Sequence, residues 1–199
     1  MGGSILDRIK SAYEMAMERF QQRKEVPPEE IEKMGYILEG KTLAAKYLNE
    51  INFDILLEIN KYPDKIRGYM AEGALETFLS NIQLPVDNAT LETTKKALAG
   101  IALLTVNKKA LNEVTGQLEH LLYYYESAVK QAFEQFKERF SARMAASMKS
   151  LEEKVGVKLK IDPEKQPGFR EEWTRAISSI NTQYNQVLAE QKEKIRNIR

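Results

Sequence analysis

The chain has 199 residues, of which 43% are hydrophobic and 30% are charged, and its formal net charge is +1. That balance is not the basic excess of a dedicated nucleic-acid-binding protein, so nucleic acid is not an expected partner. Cysteine is absent, which excludes disulfides and thiolate chemistry and fits a cytoplasmic protein. The most apolar run, residues 97–106, is too short to span a bilayer, so no membrane contact is expected.

The first half of the sequence predicts a series of amphipathic helices. Residues 5–20 carry apolar side chains at steps of three and four, and Pro27 and Pro28 separate them from a second helix. Gly35 and Gly40 either weaken this second helix or let another backbone come close to it. The apolar line of the first helix consists of Ile5, Ile9, Ala12, Ala16 and Phe20. The apolar line expected to pack in the second consists of Ile31, Met34, Leu38, Ala45 and Leu48.

Three more helices are predicted before residue 108. Residues 51–59 form a short apolar helix, and Pro63 begins a longer one. Pro85 interrupts the chain, and Asp87 or Asn88 can cap the helix that follows. The second half of that helix is apolar on nearly all sides, which is typical of a central helix.

The longest element is a predicted helix over residues 108–155, which contains no proline and a single glycine, Gly116. As one helix it would be about 72 Å long, whereas a compact chain of this length has a diameter of about 42 Å. The helix therefore either protrudes or breaks. Asn107 marks either a turn before it or a continuous passage from the preceding helix. Its apolar line consists of Leu111, Val114, Leu118, Leu122, Tyr125, Val129, Ala132, Phe133, Phe136, Phe140, Met144, Ser147, Leu151 and Val155.

A last helix is predicted from residue 169 to the C-terminal end, again with apolar residues at steps of three and four. Its length matches that of residues 128–155, so we expect the two to pack as an antiparallel hairpin. In that arrangement Trp173 should be mostly buried, close to Met148 or Leu151.

These elements predict an all-α fold with at most one very short extended segment, residues 157–161, where apolar side chains alternate with lysines. Residues 4–125 are expected to form a helical lobe. Residues 126–199 are expected to form a long, antiparallel, coiled-coil-like helical hairpin. The long helix 108–155 is shared between the two parts.

Familiar catalytic motifs are missing from the sequence. His120 is the one histidine, so neither a His-Glu-x-x-His zinc motif nor the paired Glu-x-x-His ligands of a di-iron bundle can form. Its place off the apolar line predicts a surface histidine. Phosphate-binding glycine loops and the Gly-x-Ser-x-Gly elbow are absent as well. The sequence therefore predicts no cofactor and no metal, and it favours a protein that is not an enzyme.

Two pairs of residues on the long helix are candidates for a partner surface. Three successive tyrosines span about 200° of a helix, so only Tyr125 lies on the apolar line. We expect first-half helices to cover Tyr123 and Tyr124, with a partner or ligand surface as the alternative. For Met144 and Met148 we expect packing inside the hairpin, with an adaptable docking patch as the alternative.

The sequence thus favours a protein–protein interaction or self-associating scaffold protein. The apolar surface of a protruding hairpin predicts a homodimer, in addition to a protein partner that the sequence does not identify. One alternative is a ligand-binding bundle or an enzyme, with a pocket near Tyr123, Tyr124 or Gly73. A weaker alternative is nucleic-acid binding through the basic second half, although cations at its C-terminal end also suit the helix dipole. Those cations are Lys192, Lys194, Arg196 and Arg199.

Overall fold

The computed structural model describes Met15, Met17 and residues 27–155 and 162–198; side chains are described outside 146–155. Six α-helices follow one another in these ranges, and no strand occurs in them, so the all-α prediction is confirmed. A 3₁₀ turn, Pro163–Lys165, lies between the last two helices. The helices are α1 Pro28–Asn49, α2 Ile55–Ile59, α3 Asp64–Asn81, α4 Asn88–Leu104, α5 Lys108–Val155 and α6 Phe169–Arg196.

Side-chain caps explain why several helices begin where they do. Asp54 and Asp87 precede α2 and α4, and their carboxylates accept hydrogen bonds from backbone N–H groups of the first turn. Thr90 donates to Asp87 from both its hydroxyl and its amide, and these two bonds lower the pKa of the Asp87 carboxyl. Asn107 accepts from the Ala110 amide at 3.1 Å, so α4 and α5 are separate helices.

α1 and α3 cross so closely that their backbones touch. A Cβ atom added to Gly40 would lie 2.0 Å from the Met70 carbonyl oxygen, and one added to Gly73 would lie 2.0 Å from the Ile37 carbonyl oxygen. Only glycine fits either position. The close crossing brings the Gly40 side of α1 inward, together with Leu43 and Ala44.

This crossing reverses the predicted orientation of α1. Ile31, Met34, Leu38 and Ala45 were expected to pack, but all four are exposed in the structure, and that prediction is wrong. The reason is physical: the glycines allow contact between backbones, and that contact decides which side of the helix faces α3. Leu48, the last member of the predicted line, is half-buried.

The core of the lobe is built around Phe78 of α3. Its ring packs on Gly100 of α4, where an added Cβ would lie 2.4 Å from the ring, and it makes an edge-to-face contact with Tyr47 at 5.5 Å. Ile101 is fully buried on the same side of α4, whereas Leu103 is exposed. The second half of α4 was expected to be central because it is apolar on nearly all sides, but α4 buries only one side of it in the core.

α5 and α6 form the antiparallel hairpin. Three contacts show the direction of the helices: Gln117 with Lys194, Tyr125 with Asn181, and Phe140 with Phe169. Residue numbers along α6 fall as those along α5 rise, so the two helices are antiparallel. Near the start of α6 the contact combines five aromatic rings with an ion pair between Arg143 and Glu172. Its rings belong to Phe133, Phe136, Phe140, Phe169 and Trp173.

The register of the hairpin differs from the predicted one. Trp173 is half-buried against Phe133 and Phe136, at 5.1 and 5.6 Å between ring centroids, and not beside Met148 or Leu151. Leu151 lies 15 residues beyond Phe136, or about 22 Å along the helix. α6 therefore pairs with the middle of α5, and the last turns of α5 extend past its start.

The hairpin is fastened to the lobe at the C-terminal end of α6. The Arg196 guanidinium donates to both carboxylate oxygens of Glu76 on α3, at 2.9 and 3.0 Å, and also pairs with Glu193. These hydrogen bonds raise the pKa of Arg196. Leu188 and Ile195 of α6 belong to the same apolar core as Phe78.

Two predictions fall outside the described ranges: the extended segment at 157–161 and the packing of the first helix, residues 5–20. Met15 and Met17 are the described members of that helix, and both have helical backbone. None of the helices in the described ranges is long and apolar enough to cross a bilayer.

Candidate functional site

The three successive tyrosines of α5 divide between the inside and the outside of the protein. Tyr125 is buried, and its hydroxyl donates to the Asn181 Oδ1 at 2.8 Å. Tyr123 and Tyr124 are 65% and 60% exposed. The expectation that first-half helices cover these two side chains is therefore wrong. Among the eight tyrosines whose side chains are described, they are the two exposed ones.

Tyr123 and Tyr124 form an aromatic cluster with His120. The two tyrosine rings meet edge to face at 5.8 Å between centroids, and the imidazole of His120 stacks on Tyr124 at 6.5 Å with an interplanar angle of 27°. His120 is exposed, as predicted. The three rings belong to one face of one helix, so they present a surface with little freedom left to lose on binding.

Uncharged residues extend this surface in both directions along α5. Seven residues lie on the same side of the helix, and none of them is an aspartate, glutamate, lysine or arginine. We call them the uncharged strip, which is about 22 Å long. Glu113 and Glu134 are the next residues on that side at either end. The strip consists of Gly116, Gln117, His120, Tyr123, Tyr124, Ser127 and Gln131.

The opposite side of α5 fixes the strip in place. Leu118 and Leu122 are buried in the core with Tyr125, whose ring also contacts Tyr184 of α6 at 5.3 Å. Burial raises the pKa of the Tyr125 hydroxyl, which keeps it protonated as a hydrogen-bond donor. The strip therefore lies on a helix that packing and a hydrogen bond hold in one orientation.

The structure does not join the two methionines to the tyrosines. Met144 is half-buried and lies 20 residues after Tyr124, which is about 30 Å along the helix and about 200° around it. The side chain of Met148 is outside the described residues. Met144 follows Phe140 on the side of α5 that faces α6.

The basic C-terminal end is largely engaged within the protein. Lys194 donates to Gln117, and Arg196 pairs with Glu76 and Glu193. Lys192 is half-buried, and desolvation together with nearby Arg196 lowers its pKa. Arg199 lies outside the described residues.

The alternative function predicted a ligand pocket near Tyr123, Tyr124 or Gly73. Gly73 lies in the close crossing of α1 and α3. A cleft of about 520 Å³ lies beside this crossing, on the N-terminal parts of the two helices, where it is lined by Tyr36, Tyr69 and Ile66 among others. Lys33 lies over the Tyr69 ring at 5.3 Å from its centroid. In the described ranges no group of three or more histidine or acidic side chains could hold a metal ion.

Comparison with known proteins gives a family. The family model described as a family of unknown function, DUF6657, matches residues 56–197, which is more than two thirds of the chain. The chain belongs to this family. No curated protein and no solved structure matches it. The match includes α5 with its whole uncharged strip and leaves out α1.

Proposed function

We propose that the protein is a non-enzymatic interaction protein that self-associates, and that the uncharged strip of α5 is the surface through which it does so. The observation that carries the proposal is the pair of exposed, mutually contacting tyrosines on a rigidly packed helix. Tyrosine is enriched at protein interfaces because its ring buries a large apolar area while its hydroxyl stays hydrogen-bonded.

The lack of charge along the strip also supports a protein partner. The central part of a protein interface is depleted of charged residues, because a charge there must be desolvated. Nearly a third of this chain is charged, yet seven successive positions of one helix face carry no charge. Their combination with exposed aromatic rings is typical of an interface core.

A second copy of the chain is a suitable partner for this surface. Two uncharged strips can face each other across a two-fold axis. The Lys194 ammonium, which donates to Gln117, is a charged group beside the strip and lies near its Gly116 end. The sequence analysis expected self-association through the apolar surface of the hairpin, whereas this proposal places it on the uncharged strip of α5. In the hairpin itself, Phe169 and Trp173 pack against the aromatic side of α5, and Phe140 is buried.

Sedimentation analysis of the wild-type chain and of Tyr123→Ser/Tyr124→Ser tests the proposal. The wild type should sediment as a species heavier than the 22.9 kDa chain at micromolar concentration. The double variant should sediment as the monomer with an unchanged circular dichroism spectrum, since both side chains are exposed. Val187→Ser, at an exposed apolar position of α6, is the matched control and should associate like the wild type. A monomeric wild type would contradict self-association.

The cleft beside Tyr36 and Tyr69 supports a second candidate, the binding of a small ligand by the lobe. A ligand in this cleft would contact aromatic rings and the Lys33 ammonium. Thermal unfolding in the presence of a metabolite collection tests it. A ligand of this cleft should raise the midpoint of the wild type and not that of Tyr69→Ala, with Tyr123→Ala as the control that keeps the response.

A further inference from the structure

His120 is the one side chain of the uncharged strip that can gain a charge close to neutral pH. It is also the single histidine of the whole chain, so every imidazole titration of the protein belongs to it. Histidine ordinarily changes its charge between pH 8 and pH 5, whereas glutamate and aspartate carboxylates ordinarily stay ionised in that range. Protonation of His120 would therefore place a positive charge on a surface that otherwise has none.

The imidazole of His120 lies within the surface that self-association would bury. Its ring is exposed and stacks on Tyr124 at 6.5 Å between centroids, and Tyr124 in turn meets Tyr123 at 5.8 Å. His120 is about 5 Å along the helix from the middle of the strip, which lies between the two tyrosines. A partner that covers the tyrosines therefore also removes water from the imidazole.

Three carboxylates of α5 lie within two turns of His120, and they offset an added positive charge only weakly. Glu119 and Glu126 are exposed, but they project about 100° and 120° away from His120 around the helix. Glu113 shares its side of the helix and lies about 10 Å away along the axis. That distance is about one Debye length at ordinary ionic strength, so salt screens much of the attraction.

The helix packed beside the strip brings one charge of each sign. On α6 the Lys194 ammonium donates to Gln117 at 3.2 Å, one turn before His120. Glu190 precedes Lys194 by one turn of α6 and is exposed. The positive charge of Lys194 disfavours a second cation beside it, and Glu190 partly offsets that effect.

The other two elements that contact α5 do so far from His120. The Ala102 carbonyl oxygen of α4 accepts from Lys108, which is about 18 Å along α5 from His120. In the 3₁₀ turn, the Glu164 carboxylate accepts from Lys137, about 25 Å away in the other direction. Neither contact brings a charge close enough to compensate that of a protonated imidazole.

A two-fold arrangement would place two imidazoles in one interface. With the axis perpendicular to α5 at the middle of the strip, the two copies of His120 lie about 10 Å apart along the paired helices. Protonation of both adds two like charges where the partner has displaced water. Their repulsion and their loss of hydration both oppose association.

We infer that the protonation of His120 controls self-association: two strips with neutral imidazoles can meet, and imidazolium groups separate them. This inference rests on the proposed self-association and names how that surface is regulated. Burial of an unpaired charge costs free energy, so the monomer binds the proton more readily than the dimer does. By linkage, acidification then favours the monomer.

Sedimentation of the full chain at pH 7.5 and pH 5.5, at one ionic strength, tests the inference. The Kd of the wild-type dimer should be at least about tenfold larger at pH 5.5, because both protomers must release a proton to associate. His120→Gln stays uncharged, so its Kd should be the same at both pH values. His120→Lys stays charged and should be monomeric at both.

The imidazole proton resonances in NMR spectra give a second measurement, which needs no variant. Because the chain has a single histidine, these resonances follow the titration of His120 alone. The pH at the midpoint of the titration should fall by about half a pH unit or more as the protein concentration is raised from below the Kd to above it. A histidine with no part in the interface would titrate at the same pH at every concentration.

The outcomes separate this inference from the proposed function. A wild-type dimer with the same Kd at both pH values, or a smaller Kd at pH 5.5, would overturn the inference and leave self-association standing. Loss of affinity at pH 5.5 that is equal in wild type and His120→Gln would do the same, as would a titration midpoint that does not depend on concentration. A wild type that is monomeric at pH 7.5 would contradict self-association itself, and the inference with it.

Discussion

α1 and α5 each pack one side on a neighbouring helix and leave the other side uncovered by the described residues, but they do so with different chemistry. α1 meets α3 through glycines, at backbone contact, and exposes aliphatic side chains. α5 meets α6 through aromatic rings 5.0–6.0 Å apart and exposes two tyrosines in an uncharged strip. The glycine crossing has no space for an added Cβ atom. The aromatic contact is expected to tolerate the loss of a side chain better, because the neighbouring rings can shift into the space that it leaves.

The two exposed sides also differ in their relation to the family. The match over residues 56–197 includes the strip on α5, while the exposed apolar side chains of α1 precede it. A function shared by the family is therefore expected within residues 56–197, which include the strip.

The largest effect is expected at the glycine crossing. Gly73→Ala should destabilise the protein by about 3 kcal/mol, because its Cβ would overlap the Ile37 carbonyl oxygen, which belongs to the backbone and cannot rotate away. Gly68→Ala, five residues earlier in α3 with open space around it, should instead stabilise by about 0.5–1 kcal/mol through helix propensity. Urea unfolding midpoints of the two variants measure the difference. Similar midpoints would show that the crossing can widen.

A smaller effect is expected in the aromatic contact. Trp173→Ala should cost about 2 kcal/mol, below the range for a fully buried aromatic residue, because Trp173 is half-buried and Phe133 and Phe136 can shift toward the gap. Urea unfolding of wild type and variant gives the free energy. A loss larger than that of Gly73→Ala would reverse the ranking of the two contacts.

The hydrogen bond of Tyr125, on the buried side of α5, should contribute less to stability than the aromatic contact. Tyr125→Phe removes the hydroxyl that donates to Asn181 and should cost about 1 kcal/mol. Tyr123→Phe removes an exposed hydroxyl and should change stability very little. If both substitutions have the same effect in thermal unfolding, the bond does not hold α5 against α6.

The smallest expected effect is a dependence on pH through the α4 cap. The pKa of Asp87 is lowered in the folded protein, so its contribution to stability is present above the unfolded value of about 3.9 and is lost as the pH falls through the folded value. Asp87→Asn keeps a capping oxygen but does not titrate. The unfolding midpoint of the wild type should therefore fall more steeply between pH 5 and pH 2–3 than that of Asp87→Asn. Parallel pH profiles would contradict this assignment.

Spacing alone predicted much of the helical structure. The bounds 108–155 of the longest helix agree with α5, because Asn107 precedes its first residue and no proline interrupts it. The antiparallel pairing with the last helix also followed from spacing. Both depend on local signals and on a periodic apolar line.

Spacing did not predict which side of α1 packs or the register of the hairpin. Periodicity considers only apolar side chains, so it predicts that the side of α1 with Ile31 and Leu38 packs in the core. It gives no weight to Gly40, which makes the close backbone contact with Met70. The apolar line of α5 is continuous from Leu111 onward, so several registers satisfy it equally. The rings of Phe169 and Trp173, which meet those of α5, decide among them.

The uncharged strip was only partly visible in the sequence. The tyrosines were identified as a candidate surface, but first-half helices were expected to cover Tyr123 and Tyr124. The signal in the sequence that points to an interface is that this side of α5 carries no acidic or basic residue between Glu113 and Glu134. Charged ends on an otherwise uncharged face are typical of an interface with a polar rim.

Opposite charges placed at Ser127 test the central claim, that the strip of one chain faces the strip of another. Ser127→Lys and Ser127→Glu each put a charge into the strip, so sedimentation at micromolar concentration should show both variants as monomers. An equal mixture of the two variants should form the dimer again, because the lysine of one chain and the glutamate of the other then lie in the same interface. Over so short a distance, salt screens their attraction only in part. A mixture that stays monomeric while the wild type is a dimer, or single variants that associate like the wild type, would contradict the claim.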